Sequence, residues 1–173
     1  TLGNSPLIRG LSSSYGFTHI PGSWIESIQI IKGTGTVING YDALTGQINV
    51  EYLKNSSKLF WNSYFNSETK FENNLIVSNK IDKWRNNLFL HHTLFDREMD
   101  HNNDNFMDMP KMNNIHIHNN LEYNSDKYYF LFSGRFMDEE RKGGALSENS
   151  DFNVNIDNLI FDFETKIGLI QPK

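Results

Sequence analysis

Apolar and polar side chains alternate along most of the chain from residue 58 onward. Between residues 127 and 137, for example, an aromatic residue occupies nearly every second position. A period of two residues is typical of a β-strand with one apolar and one polar face. The pattern predicts six strands, which cover residues 58–67, 70–81, 83–95, 113–123, 127–137 and 152–165.

The predicted connections between these strands differ in length. Short turns lie near residues 67–68, 82 and 125–126, whereas long polar loops cover 96–112 and 138–151. Successive connections in an antiparallel sheet lie at opposite ends of the strands. Both long loops are therefore predicted at the same end of the sheet.

Side-chain identity indicates a register for the third, fourth and fifth strands. Placing Arg85 opposite Glu122 brings opposite charges together, and a shift of one residue would turn every side chain to the wrong face. This register also pairs Asn87 with Asn120, Phe89 with His118, His91 with His116, Trp84 with Tyr123, and Leu90 with Ile117. Through a two-residue turn, the fifth strand is predicted to pair Tyr123 with Tyr128, Leu121 with Phe130, and Ile115 with Phe136.

The register gives the two faces of the sheet different chemistry. We predict an apolar, lipid-facing side made of Trp84, Leu90, Ile117, Leu121, Tyr128, Phe130, Phe132 and Phe136. On the opposite face we predict a lumenal polar cluster made of Arg85, His91, His116, His118, Glu122 and Arg135. Arg135 is expected near His116 on the next strand. We interpret the cluster as the polar lining of a wet interior, with a ligand or proton-sensitive site as the alternative.

The first 54 residues have a different character. Glycine, proline and serine are frequent near the start, which favours turns and short strands. Two β-rich apolar runs, 25–31 and 47–53, flank a glycine-rich segment that predicts tight turns. The polar stretch 54–58 follows, so we predict one domain over 1–54 and a second over 55–173.

A distinctive order of motifs accompanies these runs. The segment IESIQIIKG begins at Ile25 and is followed by NGY, ALTG and QINV, while IRGL and IPGSW lie upstream. This order closely resembles the last third of the plug domain of TonB-dependent outer-membrane receptors, where the chain leaves the plug and enters the barrel. The resemblance covers residues 1–54 by motif and the rest of the chain by strand rhythm alone.

The resemblance implies a mainly β fold, with the end of a plug domain followed by antiparallel strands of a transmembrane β-barrel. It also implies a place in the cell outer membrane and active uptake of a scarce ligand such as a siderophore, a metal or another nutrient. The implied partners are outer-membrane lipid, a small ligand of unknown identity, and TonB with its inner-membrane energising complex. The segment that binds TonB belongs before Thr1, and about six strands cannot close a plugged barrel of about 22. We therefore interpret the chain as a fragment.

Within the plug motif, the resemblance gives structural roles to particular residues. Some would shape the plug turns and others would make polar contacts inside the plug. The turn residues are Lys32, Gly33, Gly40 and Gly46, and the candidates for polar contacts are Arg9 and Glu26.

Composition narrows the functional classes further. Hydrophobic residues make up 38% of the chain and aromatic residues 13%, a balance that fits strands with one aromatic-rich face. The net charge of −5 argues against a nucleic-acid partner. Cysteine is absent, which excludes disulfides and thiolate metal sites. We find no nucleophile–histidine–carboxylate set and no phosphate-binding loop, so we expect no enzymatic activity.

The first long loop contains a candidate calcium site. Oxygen ligands would come from Asp100, Asn102, Asp104, the Phe106 backbone and Asp108, spaced as in a calcium-binding loop. Two residues depart from that pattern, because Asn105 replaces the usual glycine and Lys111 the usual glutamate. The loop also holds four of the five methionines, which makes copper capture a second hypothesis.

A soluble alternative also fits the pattern. In this reading the chain is a small antiparallel β binding module that uses the 96–112 loop to hold calcium and recognise a glycan or protein. The two readings differ in one observable. A barrel piece exposes Phe130, Phe132 and Phe136, whereas a soluble module buries them.

Overall fold

The computed structural model of the chain describes residues 16–33, 46–54, 58–146 and 152–170. The chain divides into two compact units, Thr1–Asn55 and Ser56–Lys173. The division falls inside the polar stretch 54–58. None of the described residues forms a helix that is long and apolar enough to span a membrane.

The described part of the first unit is a two-stranded antiparallel sheet with a short helical lead-in. Two 3₁₀-helices, Gly16–His19 and Gly22–Trp24, precede β1 (Ile25–Lys32), which pairs with β2 (Gly46–Tyr52). The Trp24 ring is buried and meets the Tyr52 ring edge-on, with 5.7 Å between centroids. The backbone N–H of Leu53 donates to the Trp24 carbonyl at 2.9 Å, so the helix end and the end of β2 are joined.

The second unit is a six-stranded antiparallel sheet in which each strand pairs with the next one along the chain. This arrangement confirms the mainly β, antiparallel part of the predicted fold class. Among the described residues, β3 and β8 are the edge strands and do not pair with each other, so no closed barrel is seen. The strands are β3 (Leu59–Phe65), β4 (Phe71–Ile81), β5 (Trp84–Phe95), β6 (Lys111–Asn124), β7 (Tyr128–Gly144) and β8 (Asn153–Leu169).

The predicted register between β5 and β6 is confirmed. Arg85 lies opposite Glu122, and the five other predicted pairs of these strands are present. The guanidinium of Arg85 and the carboxylate of Glu122 are 3.5 Å apart. At the same end, the Trp84 and Tyr123 rings have centroids 4.9 Å apart.

The predicted register between β6 and β7 is wrong by two residues. Tyr123 pairs with Phe130, Leu121 with Phe132 and Ile115 with Asp138, rather than with Tyr128, Phe130 and Phe136. The cause is the turn, which centres on 126–127 because the backbone N–H of Ser125 donates to the Tyr128 carbonyl and the N–H of Tyr128 donates to the Ser125 hydroxyl. A shift of two residues keeps every side chain on its predicted face.

The predicted second long loop is also corrected. Residues 138–144 belong to β7, which runs to Gly144, and β8 begins at Asn153. The charged run 139–142, predicted as a solvated loop, instead alternates between the two faces of a strand. Glu139 and Arg141 are buried, whereas Glu140 and Lys142 are exposed. Backbone pairing with β8 overrides the low β propensity of these charged residues.

The two faces of the six-stranded sheet differ in exposure as well as in chemistry. The face that carries Trp84 and Ile117, called the aromatic face, is largely exposed. Its most exposed members are Ile167 at 79% and Leu169 at 77% on β8, and Trp61 at 71% on β3. The opposite face, called the polar face, carries Arg85 and Glu122 and is largely buried along β5 and β6. The same face also buries apolar side chains, namely Ile76, Phe89, Phe95 and Met137.

Asparagine side chains on the aromatic face form hydrogen bonds with neighbouring polar groups. The Asn119 side chain donates to the Asn86 side-chain oxygen at 2.7 Å and to the Asn87 carbonyl at 3.3 Å. Nearer the long loops, His92 Nε2 lies 3.2 Å from the Asn113 side-chain oxygen. These contacts satisfy part of the hydrogen-bonding capacity of the amide side chains.

Backbone hydrogen bonds join the loop 96–110 to residues 144–146, where β7 ends. The Met107 N–H donates to the Gly144 carbonyl at 2.8 Å, and the Leu146 N–H donates to the Asn105 carbonyl at 2.9 Å. These bonds flank a β-bridge between Phe106 and Ala145. The loop 96–110 is therefore held against the β7–β8 hairpin by backbone hydrogen bonds.

Replacing Gly144 with alanine should destabilise this hairpin. Gly144 has φ = +118°, and an added Cβ would overlap the Phe152 carbonyl oxygen. Strain of this kind costs about 1–3 kcal/mol. We expect urea unfolding to show that decrease for Gly144→Ala. The control is Gly168→Ala, where the nearest atom to a new Cβ is 3.7 Å away, and its stability should change little. Equal stability of the two variants would contradict the strained turn.

Candidate functional site

All six residues of the predicted polar cluster lie on the polar face of the sheet. Arg85 and Glu122 form the ion pair near the short turns, and the His91 and His116 rings lie closer to the long loops, with centroids 5.3 Å apart. His118 packs against the Phe89 ring at 5.7 Å. The cluster is thus spread along the strands instead of converging on one point.

The predicted neighbour of Arg135 is corrected. Because of the two-residue shift between β6 and β7, Arg135 lies opposite His118, and His116 lies opposite Met137. The Arg135 guanidinium forms an ion pair with Asp162 on β8. This arginine therefore connects the cluster to a strand that the sequence prediction did not include in it.

His91 belongs to a buried hydrogen-bond network that the sequence reasoning missed. Its Nδ1 lies 2.7 Å from the Asn74 side-chain oxygen, and its Nε2 lies 2.9 Å from the Thr93 hydroxyl. The Thr93 backbone N–H in turn donates to the Asn114 side-chain oxygen at 3.2 Å. The network crosses β4, β5 and β6, so it depends on the register of three strands. The available signal was the placement of Asn74, Thr93 and Asn114 on the polar side of the alternation.

A buried ion pair extends the polar face toward the long loops. The Glu139 carboxylate lies 2.5 Å from the Arg141 guanidinium and accepts a hydrogen bond of 3.1 Å from the Asn158 side chain. Both charged side chains are nearly inaccessible to solvent. Removing either partner would leave the other charge buried, which is strongly destabilising.

A pocket of about 490 Å³ opens at the long-loop end of the sheet. It lies between the β3–β4 turn and the loop 96–110, and it combines aromatic, thioether and charged side chains. The turn is shaped by Asn66, whose side-chain oxygen accepts hydrogen bonds from the backbone N–H groups of Glu68 and Lys70. Sequence reasoning missed this pocket because its residues come from distant segments. The lining residues are Tyr64, Asn66, Glu68, Lys70, Glu72, Phe95 and Met109.

The predicted calcium ligands lie in one exposed loop, but carboxylate oxygens among them already accept hydrogen bonds from backbone N–H groups. The Asp100 carboxylate accepts hydrogen bonds from the N–H groups of Asp104 and Asn105, at 3.1 and 2.9 Å. Asp104 in turn accepts a bond of 2.8 Å from the Phe106 N–H. Asn105 has φ = +64°, the left-handed conformation expected at this position. These hydrogen bonds shape the loop, and calcium binding stays a prediction.

The carboxylate of Asp108, the last predicted ligand, already contacts His101. Its carboxylate accepts the His101 backbone N–H and lies 2.8 Å from the His101 ring nitrogen Nδ1. The backbone hydrogen bond, with the ring contact second, lowers the pKa of Asp108. Within the described ranges, no three histidine, aspartate or glutamate side chains are grouped so that they could hold a metal ion. Copper capture by the methionines of the loop stays a prediction.

Of the plug-motif residues, four lie in the described part of the chain. The Glu26 carboxylate accepts a hydrogen bond of 3.2 Å from the Lys54 N–H. Lys32 pairs with Gly46 across β1 and β2, and Gly33 and Gly46 have φ of +88° and +139°. At Gly46 a Cβ would lie 2.9 Å from the Ile31 carbonyl oxygen, so glycine is required. Arg9 and Gly40 lie outside the described residues.

Comparison with protein-family models finds no matching family, and comparison with curated proteins finds no match. The likeness to TonB-dependent receptors therefore stays an expectation based on the motifs of the sequence.

Substitution of Asp100 tests the loop geometry. We expect Asp100→Ala to speed amide hydrogen exchange at Asp104 and Asn105 by roughly tenfold or more, since hydrogen bonds to a charged acceptor are worth about 1.5–3 kcal/mol. Asp100→Asn retains one oxygen acceptor and should have a smaller effect. The same measurement with added calcium tests the metal prediction. Exchange that is identical with and without calcium would contradict a calcium site in this loop.

Proposed function

We propose that this chain is part of a TonB-dependent outer-membrane receptor that takes up a scarce small ligand. The observation that carries the proposal is the exposed aromatic face of the six-stranded sheet, together with a buried polar face. A sheet arranged in this way suits a lipid exterior and a wet interior. The plug-like motif order of the first 54 residues is the reason for proposing this receptor family. This reason does not depend on the six-stranded sheet.

The length of the apolar band supports a membrane location. On the aromatic face of β8, apolar residues extend from Leu159 to Leu169, interrupted only by Thr165. Ten residue steps at about 3.4 Å, tilted by about 40°, give a band roughly 26 Å tall. Outer-membrane barrels carry an apolar band of about 25 Å. The charged or polar residues Asp157 and Asn155 continue the same face beyond the band.

The side chains at the two ends of the apolar band also differ, and the difference fits a strand that crosses a membrane. Near the β4–β5 and β6–β7 turns, Trp84, Tyr123 and Tyr128 supply amphipathic rings suited to a membrane interface. At the other end, Asp138, Glu140 and Lys142 extend β7 into water. Short periplasmic turns and longer outer loops are the usual arrangement in these barrels. We therefore assign the long-loop end to the cell exterior.

The phenylalanines that separate the two readings favour the receptor. Phe132 is exposed, while Phe130 and Phe136 are half-buried by neighbouring rings on the same face. Trp84 covers Phe130 at 6.4 Å, and Phe161 covers Phe136 at 5.0 Å. None of these rings is buried in the manner of a soluble core, so the observation does not favour a soluble binding module.

In this proposal the pocket near Tyr64 and Met109 contributes outer contacts to the ligand. The polar face lines the lumen, and the energy for uptake comes from the inner-membrane complex through TonB. Open strand edges are not tolerated in lipid, so further strands of the receptor pair with β3 and β8. The ligand itself is a siderophore, a metal complex or another nutrient.

Spin labels at adjacent positions test which face meets lipid. Because the chain has no cysteine, single cysteines can be introduced directly. We expect a label at Phe132→Cys to be accessible to oxygen and shielded from a water-soluble nickel reagent in lipid bilayers. The matched label at Ser133→Cys, on the opposite face, should show low oxygen accessibility. A third label at Asn155→Cys, beyond the band, should be open to the nickel reagent. High nickel accessibility at Phe132→Cys would overturn the proposal.

Labelling of intact cells tests the orientation. A membrane-impermeant maleimide should modify Asn102→Cys in the loop 96–110 and leave Lys127→Cys in a short turn unmodified until the cells are opened. The reverse result would invert the assignment. The intact mass of the native polypeptide from the outer-membrane fraction provides a further check. A mass several times 20.1 kDa supports a receptor that contains this segment, whereas a water-soluble species near 20.1 kDa contradicts it.

A further inference from the structure

We propose that the aromatic face carries a contact surface through which two copies of this protein associate in the membrane. This inference rests on the proposed membrane location and adds a partner to it, a second copy of the same chain. It comes from three asparagines that interrupt the apolar band of this face, Asn79, Asn86 and Asn119, called the amide patch. The proposed uptake of ligand uses none of them.

The amide patch crosses three adjacent strands. Asn79 on β4 lies directly opposite Asn86 on β5, and the Asn119 side chain on β6 donates to the Asn86 side-chain oxygen at 2.7 Å. Asn79 and Asn86 are exposed, and Asn119 is half-buried. The three amides therefore form one continuous polar surface.

Apolar side chains border the amide patch on both sides along the strands. Toward the short turns, the same face carries Ile81 and Trp84, which are 67% and 44% exposed. Toward the long loops, it carries Val77 and Leu88, which lie directly opposite each other. The patch thus lies inside the apolar band, where lipid tails offer an amide no hydrogen bond and leaving it unpaired is unfavourable.

Hydrogen bonds within the chain use only part of the capacity of the patch. Among the described residues, neither the Asn79 side chain nor the Asn86 amide nitrogen has a hydrogen-bond partner. An amide side chain offers two N–H donors and one oxygen acceptor. Donors and acceptors are both left over, so the patch is complementary to another set of amides. Polar side chains of this kind form hydrogen bonds between protein segments in membranes.

A second copy of the chain supplies those amides by symmetry. Oligomers of one protein are most often two-fold symmetric, and such a contact uses the same surface on both copies. Two copies inserted in the same direction are related by an axis along the membrane normal. Each copy therefore carries the amide patch at the same depth, whereas an unrelated protein would need a polar patch of its own at that depth. The patch lies on the face of β4–β6, so the contact leaves the edge strands β3 and β8 open for further strands.

Counting of subunits in lipid bilayers tests this inference. The complete protein carries one fluorophore at Asn102→Cys, and photobleaching steps are counted in liposomes over a series of protein-to-lipid ratios. We expect two copies per complex. The double variant Asn79→Leu/Asn86→Leu should weaken association about tenfold, because it removes hydrogen bonds between the copies. Its monomer should be at least as stable to unfolding in the bilayer, since leucine is compatible with lipid, and this result separates lost contact from misfolding.

A matched control makes the same change outside the band. Asn153→Leu/Asn155→Leu replaces two asparagines on the aromatic side of β8 beyond the apolar residues and should leave association unchanged. A monomer at every protein-to-lipid ratio would overturn the inference. Unchanged association of Asn79→Leu/Asn86→Leu, or an equal loss in the control, would overturn it as well.

Distances between spin labels on the two copies locate the contact. A label at Lys83→Cys lies in the turn between β4 and β5, and a label at Phe163→Cys lies on β8, three strands from β5. Three strand spacings are roughly 14 Å. We expect the distance between copies to be shorter for Lys83→Cys than for Phe163→Cys, and the reverse order would contradict a contact at the amide patch.

The label at Phe163→Cys also separates the two proposals. A monomer in which this label is accessible to oxygen in the bilayer defeats the present inference alone. A label there that is open to the water-soluble nickel reagent defeats the proposed membrane location as well.

Discussion

The register between β5 and β6 is the constraint on which the two faces of the sheet depend. The Arg85–Glu122 ion pair and the Trp84–Tyr123 ring contact fix it at one end, on opposite faces. A shift of β6 by one residue would turn Ile117 inward and His116 and His118 outward. The β6–β7 register differs from the prediction by two residues, which preserves the faces and changes only the neighbours. Face identity is therefore specified more strongly than the individual pairs.

The exposed aromatic face and the buried polar face are stabilised in different ways. Apolar side chains on β8 are largely exposed, which is unfavourable in water and favourable in lipid. Buried polar groups such as Asn74 and His91 are satisfied by bonding one another across strands. The aromatic face is the basis for the proposed membrane location, and the polar face fits a wet interior.

The long-loop end of the sheet is organised by backbone hydrogen bonds more than by side-chain packing. The Phe106–Ala145 bridge holds the loop 96–110 against the extended β7–β8 hairpin, and Gly144 allows the chain to turn there. Within the loop, Asp100 and Asp104 support successive backbone N–H groups. The spacing of carboxylates that predicted calcium binding thus has a second physical use in the loop itself.

The six strands, their faces and the β5–β6 register could be predicted from the sequence, because alternation and opposite charges are local or pairwise properties of side chains. It also located the polar cluster, since each of the six residues occupies the same phase of the alternation. The extension of β7 through 139–142 could not be predicted, because it depends on backbone pairing with β8, which outweighs the polarity of these residues. The same holds for the His91 network and the pocket near Tyr64, because both require segments that are distant in sequence to meet in space.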